Sequence, residues 1–495
     1  MRYENPILPG FHPDPSICRV GEDYYLVVSS FEYFPGLPVY HSRDLVNWTQ
    51  IGNCLQRAEE FPLLNVGDSG GVWAPTIRWH EGVFYVTATL EKFGNFIVTA
   101  ADPAGEWSSP VWLDEIGGID PSILFDEGRV YYCTNDRLDP EQEGICLQEI
   151  DPATGRITSP RRMIWSGIGA HFVEAPHIYR IGQWYYLLIA EGGTFYNHMV
   201  TAARSRSVWG PYESCPRNPI LTNMCDPSWQ VQCAGHGDLV DDGRGNWWMV
   251  HLGIRLARRT MTHLGRETFL TPVRWEEGWP LCGADRKATL LCDGPLPAPQ
   301  RPRQPFEADM TRTDWEPEWI FLRRPNMADH QRVPGAMLLR PSTRTLAEAN
   351  PTFAALRPLG FDCVTQAAFA FDARQPGDEA GLAVRLDSKF FITCLRTHGS
   401  KLVLTLHADE IHHIVAEAAV ESPCIRLQIR ADRERYQFDW AEEDGDFRPL
   451  GHVSTRFMST DLSGRCFTGT VIGLHAVCRV DTEAVMRVTE FTMRG

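Results

Sequence analysis

The chain has 495 residues, enough for two or three domains of ordinary size. Its hydrophobic fraction of 43% and charged fraction of 22% are typical of a globular protein in water, and it contains no run of about 18 apolar residues that would predict a membrane helix. The formal net charge of −16 disfavours nucleic acids and anionic membranes as main partners.

The N-terminal segment MRYENPILPG contains two prolines and no apolar stretch typical of a secretory signal. The 14 cysteines are scattered without CxxC spacing, which in a chain of this length predicts buried reduced thiols and no disulfide framework. Together these features predict a cytoplasmic protein.

Five copies of one short phrase follow within the first 250 residues. Each copy has a turn-like start, an apolar residue, a glycine-bearing turn and paired aromatic residues that open a strand. The copies occupy residues 14–27, 74–87, 120–133, 175–188 and, in degenerate form, 237–250. Their aromatic residues recur every 47 to 62 positions, a spacing typical of propeller blades. We therefore expect residues 1–292 to form a five-bladed β-propeller.

Residues 293–305, DGPLPAPQRPRQP, are rich in proline and predict a semi-rigid linker. The repeat is lost over residues 306–495. This part contains alternating, strand-like segments at 364–373, 381–387, 390–396, 401–408 and 424–441. The pattern predicts a β-sandwich and an all-β chain. Such a domain could bind carbohydrate, brace the propeller or form an oligomer interface, and the pattern alone does not choose among these roles.

Three acidic residues stand at or near the starts of the repeats. Asp14 and Asp120 each open a DPSI phrase, and Glu174 precedes APHI; Trp73 and His236 are also placed one position before the repeat start. A single such aspartate is commonly a turn residue, but a propeller gathers equivalent positions around its axis. Converging carboxyl groups raise each other's proton affinity. The set therefore predicts an acid–base site suited to glycoside hydrolysis, in which one acid protonates the leaving oxygen.

Residues 5–48 closely resemble the β-xylosidases of glycoside hydrolase family 43. Further matching motifs are WAPTI (73–77), GNFIVTA (94–100), GGIDPSILFD (117–126), EAPHIY (174–179), AEGGT (190–194), GHGDLV (235–240), LGRET (264–268), DEAGLAVRLD (378–387) and FTGTVIGL (467–474). The resemblance covers nearly the whole chain and implies a five-bladed propeller followed by a β-sandwich.

The resemblance also implies catalytic roles. Asp14 is similar to the family's general base, which activates water, and Glu174 to its general acid. Asp120 is similar to the residue that tunes the pKa of that acid and holds its orientation. Enzymes of the family invert the anomeric configuration, which needs room for a water molecule between base and acid.

Other matches concern the sugar pocket. Phe31, Phe34 and Trp73 could line the sugar ring. Arg266 matches a family arginine that contacts the sugar and the acids. His236 matches a histidine at the channel centre, which in some members holds a hydrated calcium ion; no zinc-like motif is present, and no other cofactor is implied.

Phe467 lies in a motif that, in similar enzymes, closes over the pocket and makes it blind-ended. The predicted function is therefore an exo-acting 1,4-β-xylosidase that releases xylose from the non-reducing end of xylobiose and longer xylo-oligosaccharides. An α-L-arabinofuranosidase or a dual enzyme is the near alternative, and a non-catalytic sugar-binding propeller or an interaction scaffold is the distant one. The resemblance further implies dimers or tetramers.

Overall fold

A computed structural model of the protein describes residues 1–139, 142–226, 228, 230–258, 261–464 and 467–495. Regular structure in these residues is almost entirely β-strand. Five short 3-10 helices complete it: Ala58–Glu60, Leu63–Asn65, Ala284–Arg286, Met327–Asp329 and Thr455–Met458. None of the described helices has the length and apolarity needed to cross a membrane.

The first part of the chain forms five antiparallel sheets, one for each copy of the repeat. Blade 1 comprises Ser16–Val20, Asp23–Val27, Gly36–Ser42 and Thr49–Leu55; blade 2, Val72–His80, Val83–Leu90, Gly94–Ala100 and Val111–Trp112; blade 3, Ile119–Asp126, Arg129–Asp139, Gln142–Glu149 and Arg162–Trp165; blade 4, Glu174–Ile181, Trp184–Glu191, Met199–Ser205, Glu213–Ser214 and Leu221–Thr222; blade 5, Val231–Asp241, Trp247–Arg255, Glu267–Glu276 and Trp279–Cys282. The first strand of each blade contacts the first strands of both neighbouring blades, which closes the ring. The predicted five-bladed β-propeller is confirmed.

Apolar side chains between neighbouring blades hold the ring together. Between blades 1 and 2, for example, Val39, Val86 and Trp107 belong to one buried cluster. The chain ends of the propeller also pair with each other: Arg2–Glu4 and Leu291–Asp293 form a separate two-stranded sheet. The predicted linker spans residues 293–305; Asp293 still belongs to the strand Leu291–Asp293, and residues 294–305 contain neither strand nor helix and lead into the second half of the chain.

The second half forms the expected β-sandwich. One sheet contains His330–Val333, Ala336–Leu339, Met486–Arg494, Cys363–Phe371, Cys424–Ala431, Arg435–Glu442 and Arg448–Ser454, with Phe306–Glu307 paired at its side. The other contains Ile411–Ala419, Lys401–Ala408, Phe390–Thr397, Glu379–Arg385, Val471–Val477, Thr352–Leu356, Ile320–Leu322 and Tyr33–Phe34. Inward-facing residues of the two sheets form one continuous apolar core.

The two parts of the chain share β-structure. The strand Tyr33–Phe34 belongs to the propeller by sequence, yet it pairs with Ile320–Leu322 and so becomes the edge of a sandwich sheet. Close backbone contact adds to this, because a Cβ at Gly10 would lie 2.4 Å from the carbonyl oxygen of Pro358. The sandwich is therefore packed directly against the propeller beside Phe31.

The described cysteines are free thiols, and most of them are buried as expected. Cys225 and Cys424 are exposed, contrary to that expectation, because both lie outside the packed cores. Cys466 lies outside the described residues.

Candidate active site

The inner strands of the propeller begin with an unusual backbone. Asp14, Asp120 and His236 have φ values of 54°, 52° and 52°, and Ala175, directly after Glu174, has 52°. Such left-handed conformations are costly for residues other than glycine and cluster at functional sites. Ladder irregularities accompany them at Asp120 and Glu174, and a bulge of this kind redirects the side chains beside it.

Strand pairing refines the alignment of the repeats. Ser16 pairs with Val27, and Asp238 pairs with the corresponding Val250. His236 therefore occupies the same position as Asp14, and the prediction that it lay one residue earlier is wrong. The cause is the degenerate start of the fifth copy, where glycine replaces the proline that marks the first four.

Asp14 is buried and both of its carboxylate oxygens accept hydrogen bonds. The hydroxyl of Ser29 donates to Oδ2 at 2.6 Å, and Nη1 of Arg266 donates to Oδ1 at 2.7 Å. The ring nitrogen Nδ1 of His236 lies 3.8 Å from Oδ1. These contacts fix the orientation of the carboxylate, as a group that must receive a proton from a positioned water requires.

The other two acids retain protons to unusually high pH. Burial raises the pKa of Asp120 well above its usual range, and the charges of Glu174 and Asp14 raise it further. Burial also raises the pKa of Glu174 to about 7, with additional effects of Glu143 and Asp14, while Arg266 opposes them. Because Asp120 and Glu174 interact, the proton is best assigned to the pair. A carboxyl proton is thus available near neutral pH, as general acid catalysis needs.

Aromatic rings surround the guanidinium group of Arg266. Its central carbon lies 5.5 Å from the ring centroids of both Phe31 and Phe467. The Phe467 ring is 6.1 Å from Phe31 and 6.5 Å from Trp73, which it meets edge-on. The predicted pocket residues Phe31, Trp73, Arg266 and Phe467 therefore lie together, and Phe467 is contributed by the sandwich.

Phe34 does not belong to this group. Its side chain is buried with Leu37, Leu55 and Leu63 in the core between blades 1 and 2. The expectation that Phe34 could line the sugar ring is wrong, because its strand pairs with Ile320–Leu322 and turns the side chain away from Phe31.

Behind Asp14, a buried polar network joins four blades. Asp238 of blade 5 accepts hydrogen bonds from Arg78 of blade 2 at 2.9 and 3.1 Å and from Ser16 of blade 1 at 2.6 Å. The hydroxyl of Tyr179 in blade 4 also donates to it. The charges of Asp238 and Arg78 are buried and paired with each other. Losing either partner would leave the other charge uncompensated, so the network ties the inner strands of the four blades together.

The calcium ion expected near His236 would be held through water molecules and stays a prediction. The described part of the chain contains no group of three or more His, Cys, Asp or Glu residues that could hold a metal ion directly. Burial lowers the pKa of His236, so the ring is neutral near pH 7.

Four residues at the site were not singled out from the sequence. Ser29 and Thr194 contact Asp14 and Arg266, respectively, at 2.6 and 3.3 Å. Glu143 raises the pKa of Glu174, and Ser69 contacts Phe467. Thr194 lies in the AEGGT motif and Ser29 in the matching segment 5–48, so both could have been selected on that basis; Glu143 and Ser69 lie outside the matching motifs.

A propeller that gathers three carboxyl groups at the starts of its inner strands, beside an arginine and aromatic rings, is typical of a carbohydrate-active hydrolase. Residues 3–280 match the family model for glycosyl hydrolases family 43. Residues 308–492 match the model for the beta xylosidase C-terminal concanavalin A-like domain. The chain belongs to glycoside hydrolase family 43.

Similar proteins of known name are also glycosidases. The chain is 40% identical over 496 residues to the non-reducing end alpha-L-arabinofuranosidase BoGH43B of Bacteroides ovatus, covering 96% of this chain and 91% of the relative. It is 32% identical to a beta-xylosidase of Bacillus subtilis, covering 96% of each chain. The solved structure of Bacteroides ovatus xyloglucan PUL GH43B has a TM-score of 0.94 at 38% identity, covering 100% of both chains. The protein is a glycosidase.

Proposed function

We propose that this glycosidase is an exo-acting, inverting 1,4-β-xylosidase that releases xylose from the non-reducing end of short xylo-oligosaccharides, the products of xylan degradation. The observation that carries the proposal is the reach of the sandwich into the acid cluster. Arg266 donates to the Asp14 carboxylate and also, at 3.1 and 3.2 Å, to the carbonyl oxygen of Phe467. A site closed in this way favours a chain end over the middle of a polymer.

The three acids divide the reaction between them. Asp14 removes a proton from a water molecule as its oxygen attacks the anomeric carbon. Glu174 gives its proton to the glycosidic oxygen as the bond to the anomeric carbon breaks, so that the remaining sugar leaves with a neutral hydroxyl group. Asp120 tunes the proton affinity of the acid and holds its orientation in this proposal; its own pKa is raised well above the usual range by burial and by the charges of Glu174 and Asp14. Attack on the face opposite the leaving group inverts the configuration, and no cofactor takes part in these steps.

An α-L-arabinofuranosidase, or an enzyme with both activities, is the second candidate. It is supported by the relative named as an arabinofuranosidase at 40% identity and by a "Xylosidase/arabinosidase" of Butyrivibrio fibrisolvens that is 47% identical over 290 residues. The same acid and base would serve either sugar, so the choice depends on how the pocket fits a pyranose or a furanose ring.

The two candidates are separated by kcat/KM for xylobiose and for two aryl glycosides, a β-D-xylopyranoside and an α-L-arabinofuranoside. A β-xylosidase gives the higher value with the aryl xyloside and cleaves xylobiose. The reverse order would favour the arabinofuranosidase. Release from none of the three would contradict both candidates. The Asp14→Asn variant, purified in parallel, shows whether any activity comes from a contaminant.

A further inference from the structure

The segment of residues 66–71 lies between the propeller and the sandwich, next to Phe31. Ser69 within it is only 3% exposed and has a left-handed backbone with φ of 58°. Its main-chain N–H donates to Oε2 of Glu32 at 3.1 Å. Its carbonyl accepts from Nε1 of Trp73 at 3.1 Å. A strained residue persists where its surroundings determine its conformation, and here they do so through several contacts.

The third polar group of Ser69 reaches the sandwich. The hydroxyl oxygen accepts a hydrogen bond of 2.8 Å from the main-chain N–H of Phe467, 398 positions away in the sequence. Ser69 thus contacts, through different atoms, Phe467, whose ring lies beside Arg266, and Trp73, which meets the Phe467 ring edge-on. One of these contacts is made by the side chain, and the other by the main chain.

The adjacent residue, Asp68, anchors the same segment to the sandwich. Its Oδ1 accepts from Nη2 of Arg385 at 2.9 Å and from Nη2 of Arg323 at 3.3 Å, and its Oδ2 accepts from the N–H of Ser388 at 3.1 Å. Arg385 is fully buried and also donates to the hydroxyl of Tyr33 at 3.1 Å. Buried charges hold their partners firmly, because separating them leaves a charge without compensation. The contacts of Asp68 therefore fix the main chain that carries Ser69.

Phe467 is held by the propeller at both of its main-chain groups. Ser69 accepts from its N–H, and Arg266 donates to its carbonyl oxygen. Two residues after Phe467, the main chain of the sandwich also touches the main chain of the propeller. A Cβ at Gly469 would lie 2.0 Å from the carbonyl oxygen of Leu264. The Ser69 hydroxyl supplies the side-chain contact on the side that faces Trp73.

We infer that Ser69 is a positioning residue for the sugar pocket: its hydroxyl fixes the main chain of Phe467, so that the ring closes the pocket opposite Phe31 and Trp73. This inference rests on the proposed function, because closure affects turnover only if a sugar binds there. Ser69 itself need not touch the substrate, and its effect passes through the Phe467 ring.

Replacing Ser69 by alanine removes the hydroxyl and leaves the main-chain contacts to Glu32 and Trp73 in place. We expect KM for small substrates to rise about fivefold, the effect of losing one hydrogen bond, with a smaller change in kcat. The matched control is Ser342→Ala, since the hydroxyl of Ser342 accepts from the N–H of Thr352 at 3.1 Å within the sandwich. This control should leave KM unchanged.

A double-mutant cycle tests whether the effect passes through the ring. If it does, combining Ser69→Ala with Phe467→Ala should give the KM of Phe467→Ala alone, because no ring remains to be misplaced. Independent, multiplicative effects on KM would overturn the inference. So would an unchanged KM in the single Ser69→Ala variant.

Hydrogen exchange supplies a readout that needs no catalysis. In the Ser69→Ala variant, the peptide containing Phe467 should take up deuterium faster than in the wild type, whereas Ser342→Ala should not change it. Unchanged uptake in Ser69→Ala would overturn the inference even in an active enzyme. If the wild-type protein cleaved none of the test glycosides, the proposed function would fail, and the exchange data would still decide whether Ser69 holds Phe467.

Discussion

Substituting Glu174 by glutamine tests the assignment of the general acid most specifically. Glutamine keeps the size of the side chain and cannot donate an acidic proton. General acid catalysis contributes about a hundredfold to ten-thousandfold, so we expect kcat/KM for xylobiose, a substrate with a poor leaving group, to fall by about a thousandfold. An activated aryl xyloside, whose leaving group needs little protonation, should lose much less.

The pH profile gives the same test in the wild-type enzyme. Because burial and neighbouring charges raise the pKa of Glu174 to about 7, the acid is protonated below that pH and loses its proton above it. Above the titration of this pair the protonated fraction falls by about a factor of ten per pH unit, so kcat/KM for xylobiose should decline along an alkaline limb. In Glu174→Gln this alkaline limb should disappear.

The assay is initial-rate kinetics on both substrates from pH 5 to 9, with folding of the variant checked by thermal unfolding. An equal loss of kcat/KM for xylobiose and the aryl xyloside would refute the role of Glu174 as the acid. Persistence of the wild-type alkaline limb in the variant would refute it independently, since another group would then be responsible for that limb.

Three further predictions concern neighbouring groups. Asp14→Asn should lower kcat by about a thousandfold for both leaving groups, and substantial turnover would exclude Asp14 as the base. Glu143→Gln removes a charge that raises the pKa of Glu174, so the alkaline limb should move to lower pH; a fixed limb would contradict the electrostatic account. Asp238→Ala leaves Arg78 buried without its partner and should lower the free energy of unfolding in urea by about 3–5 kcal/mol; an unchanged midpoint would show that the network is dispensable.

The sequence predicted those parts of the structure that depend on local patterns. Paired aromatic residues after a glycine turn located the strands of each blade, and the predicted segment at 401–408 matches Lys401–Ala408. The run 424–441 instead forms a hairpin, because Asp432 accepts from the N–H groups of Glu434 and Arg435 and creates a turn that alternation alone does not reveal.

Contacts between distant parts of the chain were harder to predict. Phe31 and Phe34 lie in one aromatic cluster of the sequence, yet only Phe31 contacts Phe467, since the pairing of Phe34 with a sandwich strand sets its direction. Ser69 carries no motif, and its role depends on a partner 398 residues away. The proximity of the three acids could be predicted because equivalent positions of a repeat lie near each other around the propeller axis, although they are far apart in the sequence.

The most direct test of the proposed chemistry is the configuration of the first sugar released. Xylobiose should be hydrolysed in an NMR tube and the anomeric protons followed before mutarotation. Because Asp14 is proposed to activate water on the face opposite the leaving group, α-xylose should appear first from the β-linked substrate. Initial appearance of β-xylose would mean that the configuration is retained, and would contradict the roles of Asp14 as base and Glu174 as acid.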